Sequence, residues 1–304
     1  MKALLPAALA MSLGFAALSS CDFGIYELFG RPNDVITRAA SLTEVAAPSV
    51  ANTQRYTFAI ITDPHFGMSS VYYFPESEFF NSVTEASADK PEFLLVLGDV
   101  TNTGVKAEYQ DFADFAQRFT EACGIPYYAV AGNHDLYNDG WTTWAQTVNP
   151  GTSFYRFALG RRSFYFLDTG NGTLGDPQLE KLSAEMNADA NRKLVFTHYP
   201  LFGGISFSYF KLTNSRERKA LIDLFNANSV DMYFAGHWHD GAFYDYSCFK
   251  EEVLSAFYAT KSRPGRWFFA TVDEGSHTLS LKTYAVESAS GGTAVSTQEF
   301  SLKN

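Results

Sequence analysis

From Tyr56 onward the chain alternates short, nearly unbroken apolar runs with stretches whose apolar residues recur every three or four positions. The runs YTFAIIT (56–62), FLLVLG (93–98), YYAVAG (127–132), SFYFLDT (163–169), KLVFTH (193–198) and VDMYFAG (230–236) have no polar face. That is the pattern of strands covered on both sides. Between them, Phe112, Phe115 and Phe119 fall on one stripe of a predicted helix that Gly124 ends. Asp176-Pro177 reads as the N-cap and first position of another helix, continued by Leu179, Leu182 and Met186, and Arg216 to Phe225 repeats the spacing. These stripes are core faces. Past Arg266 the pattern turns wholly to strand, with RWFFATVD, HTLSLKTYAV and STQEFSL in succession. The fold class predicted is α/β with a strand-rich C-terminal part.

Ahead of Tyr56 the text differs. MKALLPAALAMSLGFAALSSC carries one Lys and then an apolar stretch from Ala3 to Leu18, too short for a comfortable membrane span, so residues 1–20 read as an export signal. Leu18-Ser19-Ser20-Cys21 resembles the bacterial lipobox, which implies that Cys21 is lipidated and becomes the mature N-terminus. The protein is then expected outside the cytoplasm, held to a membrane by acyl chains. Residues 21–55, mixed in composition, read as a tether with one short helix near Asp34 to Leu42, and residues 56–304 as the globular domain, its β-rich part at 266–304.

Composition narrows the partners. With 304 residues, 46% of them hydrophobic, the chain can bury a large single core. A formal net charge of −10 disfavours an extended nucleic-acid surface, which needs clustered Lys and Arg, yet leaves room for a local positive site supplied by bound metal. With Cys21 acylated, Cys123 and Cys248 remain and read as buried thiols rather than a pair; no C-x-x-C occurs, so thiolate zinc and dithiol redox chemistry have no support.

The candidate chemistry sits where strands end. Asp63-x-His65 follows the first run, Gly98-Asp99 the second, Gly132-Asn133-His134-Asp135 the third, His198 the fifth and Gly236-His237-x-His239 the last. Ligands of α/β sheets bind at the carboxyl ends of strands, so these five places are expected to converge. Asp, His and Asn donors without thiolate suit Mn, Fe or Zn. Two divalent metal ions about 3.5–4 Å apart, sharing a carboxylate, use so many ligands better than one ion does. The glycines at 98, 132 and 236 are expected to let backbone come close to the site. Gly170-x-Gly172-x-x-Gly175 has dinucleotide-loop spacing, but the next strand runs into His198 where an acidic residue is required, so it reads as an ordinary loop.

In this order the five motifs closely resemble the calcineurin-like metallophosphoesterases, over about residues 56–240. The resemblance implies a β-sandwich of two mixed sheets flanked by helices. It implies that Asp63, His65 and His239 hold one metal, that Asn133, His198 and His237 hold the other, and that Asp99 bridges them. A hydroxide between the ions would attack the phosphorus of a phosphate ester, with His134 as general acid and Asp135 bracing the turn. Two departures matter. Where many relatives carry an Asp that orients the histidine at 134, Asn102 stands here, a weaker partner. Thr103 occupies the place of the phosphate-gripping Arg of the protein-phosphatase subgroup, which disfavours phosphoprotein substrates. GDVTNTGVKAEYQDF is similar to small phosphodiesterases of the cyclic-nucleotide type, so a phosphodiester is favoured. The alternatives are a phosphomonoesterase of the same fold and a catalytically silent docking module. Trp141, Trp144, YPLFGGISFSYF after His198 and Trp238 crowd the expected rim, where they either pack or cover an organic group of the substrate.

Overall fold

The computed structural model describes residues 34–68, 76–85, 90–286 and 294–303; the export signal and Cys21 lie outside the described residues. In chain order the elements are α1 (Val35–Arg38), β1 (Thr43–Glu44), β2 (Arg55–Ile61), α2 (Glu76–Glu85), β3 (Leu94–Leu97), α3 (Lys106–Cys123), β4 (Tyr127–Val130), α4 (Trp141–Thr147), β5 (Tyr155–Leu159), β6 (Arg162–Phe166), α5 (Asp176–Ala188), β7 (Arg192–Phe196), α6 (Ser215–Ala227) and β8 (Val230–Ala235). Five strands follow: β9 (Ala242–Asp245), β10 (Lys250–Val253), β11 (Arg266–Asp273), β12 (Thr278–Ala285) and β13 (Ser296–Ser301). No helix among the described residues is long and apolar enough to cross a membrane.

The six apolar runs are all strands, and they divide equally between two sheets. One sheet has the order β13-β12-β11-β2-β3-β4, with β2, β3 and β4 parallel and the C-terminal strands antiparallel. The other has the order β1-β5-β6-β7-β8-β10-β9, with β6, β7 and β8 parallel and both β5–β6 and β10–β9 antiparallel. Both are therefore mixed. Their inner faces meet through aromatic rings: Phe164, Phe196 and Phe234 stack along one sheet at 5.5 and 5.2 Å, and Phe58 of the other meets Phe196 edge-on at 6.1 Å. Offset and edge-to-face contacts let bulky rings fill the layer without a void. The outer faces are covered by helices, with α2, α3 and α4 over β2–β4 and α1, α5 and α6 over β6–β8.

Local chemistry sets the helix ends. Gly124 takes the left-handed conformation, φ 72°, and closes α3 by donating to Thr120 O. The Asn214 side chain accepts from the amides of Arg216 and Glu217 at the start of α6. At α5 the cap is Gly175, one residue before the position expected, so Asp176 and Pro177 are both already helical.

The part of the tether from Asp34 onward is packed onto the domain. Val35 and Ala39 are fully buried, Arg38 forms a two-pronged ion pair with Asp168 at 2.7 Å for each bond, and β1 pairs in parallel with β5. All these partners lie more than a hundred residues away in the chain, where local composition carries no sign of them. Cys123 and Cys248 are free, half-buried thiols on opposite outer layers, and burial pushes the Cys123 thiol up to about 11.

Candidate metal centre

Each motif lies just past the end of a parallel strand, where the chain must turn. Asp63 and His65 follow β2, Asp99 follows β3 and Asn133 follows β4, all from one sheet; His198 follows β7 and His237 and His239 follow β8, from the other. The cluster therefore spans the edge of both sheets. Asp63, His65, Asp99 and His237 have φ of 52°, 50°, 51° and 63°, a left-handed conformation unusual for residues other than glycine. Such strain persists where surrounding bonds over-determine it. Here Asp63 N donates to Gly98 O, His65 N to Asp99 O and Gly236 N to His198 O, at 3.1, 2.9 and 2.9 Å. The glycines expected to admit close backbone do so. A Cβ at Gly132 would overlap the Asp99 carboxylate and amide, and one at Gly236 would overlap the Thr62 hydroxyl.

The side chains gather in two groups with Asp99 in both. Asp63, His65, Asp99 and His239 form one and Asp99, His198 and His237 the other, each offering ligand atoms within 4.8 Å of one another. His239 Nε2 lies 3.2 Å from Asp63 Oδ1, and His65 Nε2 3.6 Å from Asp99 Oδ2. In the second group His198 Nε2 is 3.3 Å from Asp99 Oδ2 and 3.1 Å from Asn133 Oδ1, which places Asn133 beside it. All seven residues read as ligands are thus brought together.

The donors fit divalent cations. Asp63 Oδ1, Asp99 Oδ2 and both ring nitrogens of His65 are buried without a hydrogen-bond partner. Buried polar atoms are otherwise almost always paired, and buried charge needs a counter-charge. Burial alone would raise both carboxyls, yet the histidines outweigh it: His239 and His198 hold Asp63, and His198 and His65 hold Asp99, well below the usual carboxylate range. Desolvation draws His65 and His237 down to about 4, leaving them neutral lone-pair donors at neutral pH. His198 also loses from burial, but Asp99 beside it lifts it to about 9.

His134 stands next to this cluster without joining either group. Its ring meets His65 edge-on at 4.6 Å, its amide donates to Asp99 Oδ1, and its Nδ1 lies 2.6 Å from the main-chain carbonyl of Asn102. The orienting partner sought in the Asn102 side chain is therefore the backbone at that position. Asp135 is fully buried and accepts from Thr101 N, Thr101 Oγ1 and Gly132 N, so it braces the turn that carries Asn133 and His134.

Supports from distant chain complete the centre. Tyr258 OH is 2.7 Å from His239 Nδ1, and Arg263 lies over the Tyr258 ring while Nη1 donates to His239 O. Tyr199 stacks on His237 at 3.9 Å, and the Tyr209 carbonyl is 3.2 Å from His237 Nε2. Nothing in local spacing marks Tyr258 or Arg263. Two expectations about the surroundings sort differently: Trp144 is fully buried against α3 and not at the rim, whereas Trp238 and the loop after His198 flank His237. In the glycine loop at 170–175, Leu174 N, Gly175 N and the Thr173 hydroxyl all donate to the Glu217 carboxylate, so its anion seat is filled by the protein itself.

Residues 56–241 match the calcineurin-like phosphoesterase family. Among curated relatives, the chain is 24% identical over 164 residues to a probable cyclic nucleotide phosphodiesterase of Fibrobacter succinogenes, covering 53% of this chain and 62% of that protein. It is also 24% identical over 209 residues to one of Colwellia psychrerythraea, covering 64% and 75% of the two chains. Solved structures agree in fold. A dimetal phosphatase from Danio rerio superposes with a TM-score of 0.63 at 17% identity, over 82% of this chain and 99% of that one. GAP50, the anchor in the inner membrane complex of Plasmodium, does so with a TM-score of 0.61 at 14% identity, over 82% and 90%. With the motifs inside the matched segment, their side chains convergent and the sandwich shared, the chain belongs to the calcineurin-like phosphoesterase family.

Proposed function

We propose that this protein is a phosphodiesterase that works with two divalent ions, Mn, Fe or Zn. Asp63, His65 and His239 hold one ion, Asn133, His198 and His237 the other, and Asp99 is shared. The observation that carries the reading is the pair of donor groups with one carboxylate in common, next to an imidazole that belongs to neither. Ions held there supply Lewis acidity toward phosphate oxygens and lower the pKa of water at the site. His134 gives its proton to the leaving oxygen. Its Nδ1–H is committed to the Asn102 carbonyl, so Nε2 is the atom that faces the substrate. A diester is favoured because both curated relatives are named as probable cyclic nucleotide phosphodiesterases.

The test is turnover of p-nitrophenyl phosphate and its bis ester by chelated protein, before and after Mn is restored, with bound metal counted directly. Two equivalents per chain and faster turnover of the diester support the reading; one equivalent, or no metal-dependent turnover, overturns it. His134→Ala is expected to retain both ions and lose about 10²–10⁴-fold in rate on alkyl leaving groups, and much less on p-nitrophenolate, which departs without a proton. We also place the protein outside the cytoplasm, anchored through Cys21. Cys21→Ser is expected to move it from the membrane to the soluble fraction with activity intact, and continued membrane association would refute the anchor.

A further inference from the structure

The segment between His198 and α6 carries large rings into solvent. Phe207 is 58% and Tyr209 61% exposed, and Phe210 meets Tyr209 at 4.4 Å and the Trp238 ring edge-on at 4.7 Å. Single exposed apolar residues need no explanation, but a contiguous aromatic group beside a reactive centre does. This group is also firmly held. The Glu251 carboxylate, buried at the base of the loop, accepts from the amides of Leu201, Phe202 and Gly203 and from Tyr246 OH. Lys211 Nζ donates to Ile205 O at 2.6 Å, and Leu212 N to Pro200 O at 2.8 Å. A loop so anchored presents its rings as a fixed surface.

Its place relative to the cluster gives it a role. The loop abuts the second donor group, because the Tyr209 carbonyl meets His237 and the Phe210 ring lies 5.8 Å from the same imidazole. His134, which serves the leaving oxygen, packs instead against His65 of the first group. A leaving arm served by His134 would then lie by the first group, and the retained arm would have the loop beside the second group as its neighbour. We propose that Tyr209, Phe210 and Trp238, with Phe207 at the outer edge, form a shelf that stacks a flat aromatic or heteroaromatic group on the alcohol retained after cleavage. The shelf rests on the phosphodiesterase reading and adds to it a selectivity for the retained arm. A π-face on the substrate is recognised by stacking whatever its hydrogen-bonding pattern, so aryl groups and nucleobases share this chemistry.

The experiment holds the leaving group constant. Phenyl p-nitrophenyl phosphate and methyl p-nitrophenyl phosphate release the same phenolate and differ only in the retained arm. For the metal-loaded wild type, kcat/KM is expected to favour the phenyl diester by about tenfold, the scale of one stacked ring. In Tyr209→Ala/Phe207→Ala that ratio is expected to fall toward one. Binding is read separately, by quenching of tryptophan fluorescence with phenylphosphonate against methylphosphonate, and the aryl advantage there should vanish in the same variant. A wild type without aryl preference, or a variant that keeps it, overturns the shelf. If no ester is turned over at all, the phosphodiesterase reading fails while the phosphonate titration still judges the shelf. Should Cys21→Ser protein float with phospholipid vesicles and the Phe207/Tyr209 variant lose that flotation but keep the aryl preference, the patch is a bilayer contact and the proposal is wrong.

Discussion

Glu252 shows what a single side chain can cost in the wrong surroundings. On β10 its neighbour Glu251 points to the outer layer and finds four donors, while Glu252 faces the layer between the sheets, alongside Leu254. Its Oε2 is buried without a partner, and burial pushes the carboxyl up to about 8, only partly offset by a hydrogen bond with Gln298. The folded state thus binds a proton that the unfolded chain releases near pH 4.5. Between those two values the native state holds more protons than the unfolded state, so stability falls as pH rises. The cost over that window is on the order of 3–5 kcal/mol. Glu252→Gln is expected to be close to wild type at pH 5 and more stable by several degrees at pH 9, measured by thermal melting; a difference that does not change with pH would discard this account. The convergence of the seven candidate ligands was legible in the sequence, because a strand end fixes where a motif lies; their division between two ions came from the family resemblance. Tyr258, Arg263 and Glu251 were not legible, since each acts through a residue remote in sequence and looks locally like any other polar or aromatic position.

At the scale of elements, legibility followed burial. Strands covered on both faces announced themselves as apolar runs, and all six were readable. β9 and β10 were not, because β9 is half-buried to exposed along its length and β10 carries Lys250, Glu251 and Glu252 in four residues. α1 was expected as a short helix near Asp34 to Leu42 and is there, capped by Asp34, whereas β1 was hidden for another reason: two residues are too short for any periodicity, and only the pairing with β5 makes them a strand. The docking of α1 lends itself to a direct test. Arg38 and Asp168 are buried on both sides, at 1% and 0% side-chain exposure, so removing one partner leaves the other's charge stranded. Arg38→Ala is expected to cost about 3–5 kcal/mol by denaturant titration, with Arg38→Ala/Asp168→Ala losing less than the two single changes summed. A loss within about 0.5 kcal/mol would return residues 34–55 to the status of a tether.

The whole molecule is two sheets tied at both ends. Far from the cluster, the fully buried Arg162 reaches from β6 to Asp231 of its own sheet and to Glu274, just past β11 of the other. At the near end the tie is the donor cluster itself, with three motifs from one sheet and two from the other, and its carboxylates stay charged at neutral pH. In chelated protein the compensating charge is His198 in its protonated form, held to Asp99 at 3.3 Å. A histidine raised to about 9 contributes stability that is complete below its unfolded value near 6.5 and lost as pH rises through 9. Divalent ions bound by these donors would take over that charge compensation without a proton. Loading is therefore expected to release a proton from His198 at pH 7, seen as a buffer-dependent heat in calorimetry, and affinity should rise across pH 6.5–9. At a thousandfold excess over Kd the gain is about 4 kcal/mol, or on the order of 5–10 °C in Tm. The gap between loaded and chelated protein should widen from pH 6.5 to 9, since only the chelated form is losing its compensation. Asp99→Asn removes the carboxylate common to both groups and should abolish the metal-dependent shift at every pH. A shift of the same size in that variant would mean that the ions bind elsewhere and that the two sheets do not meet around them.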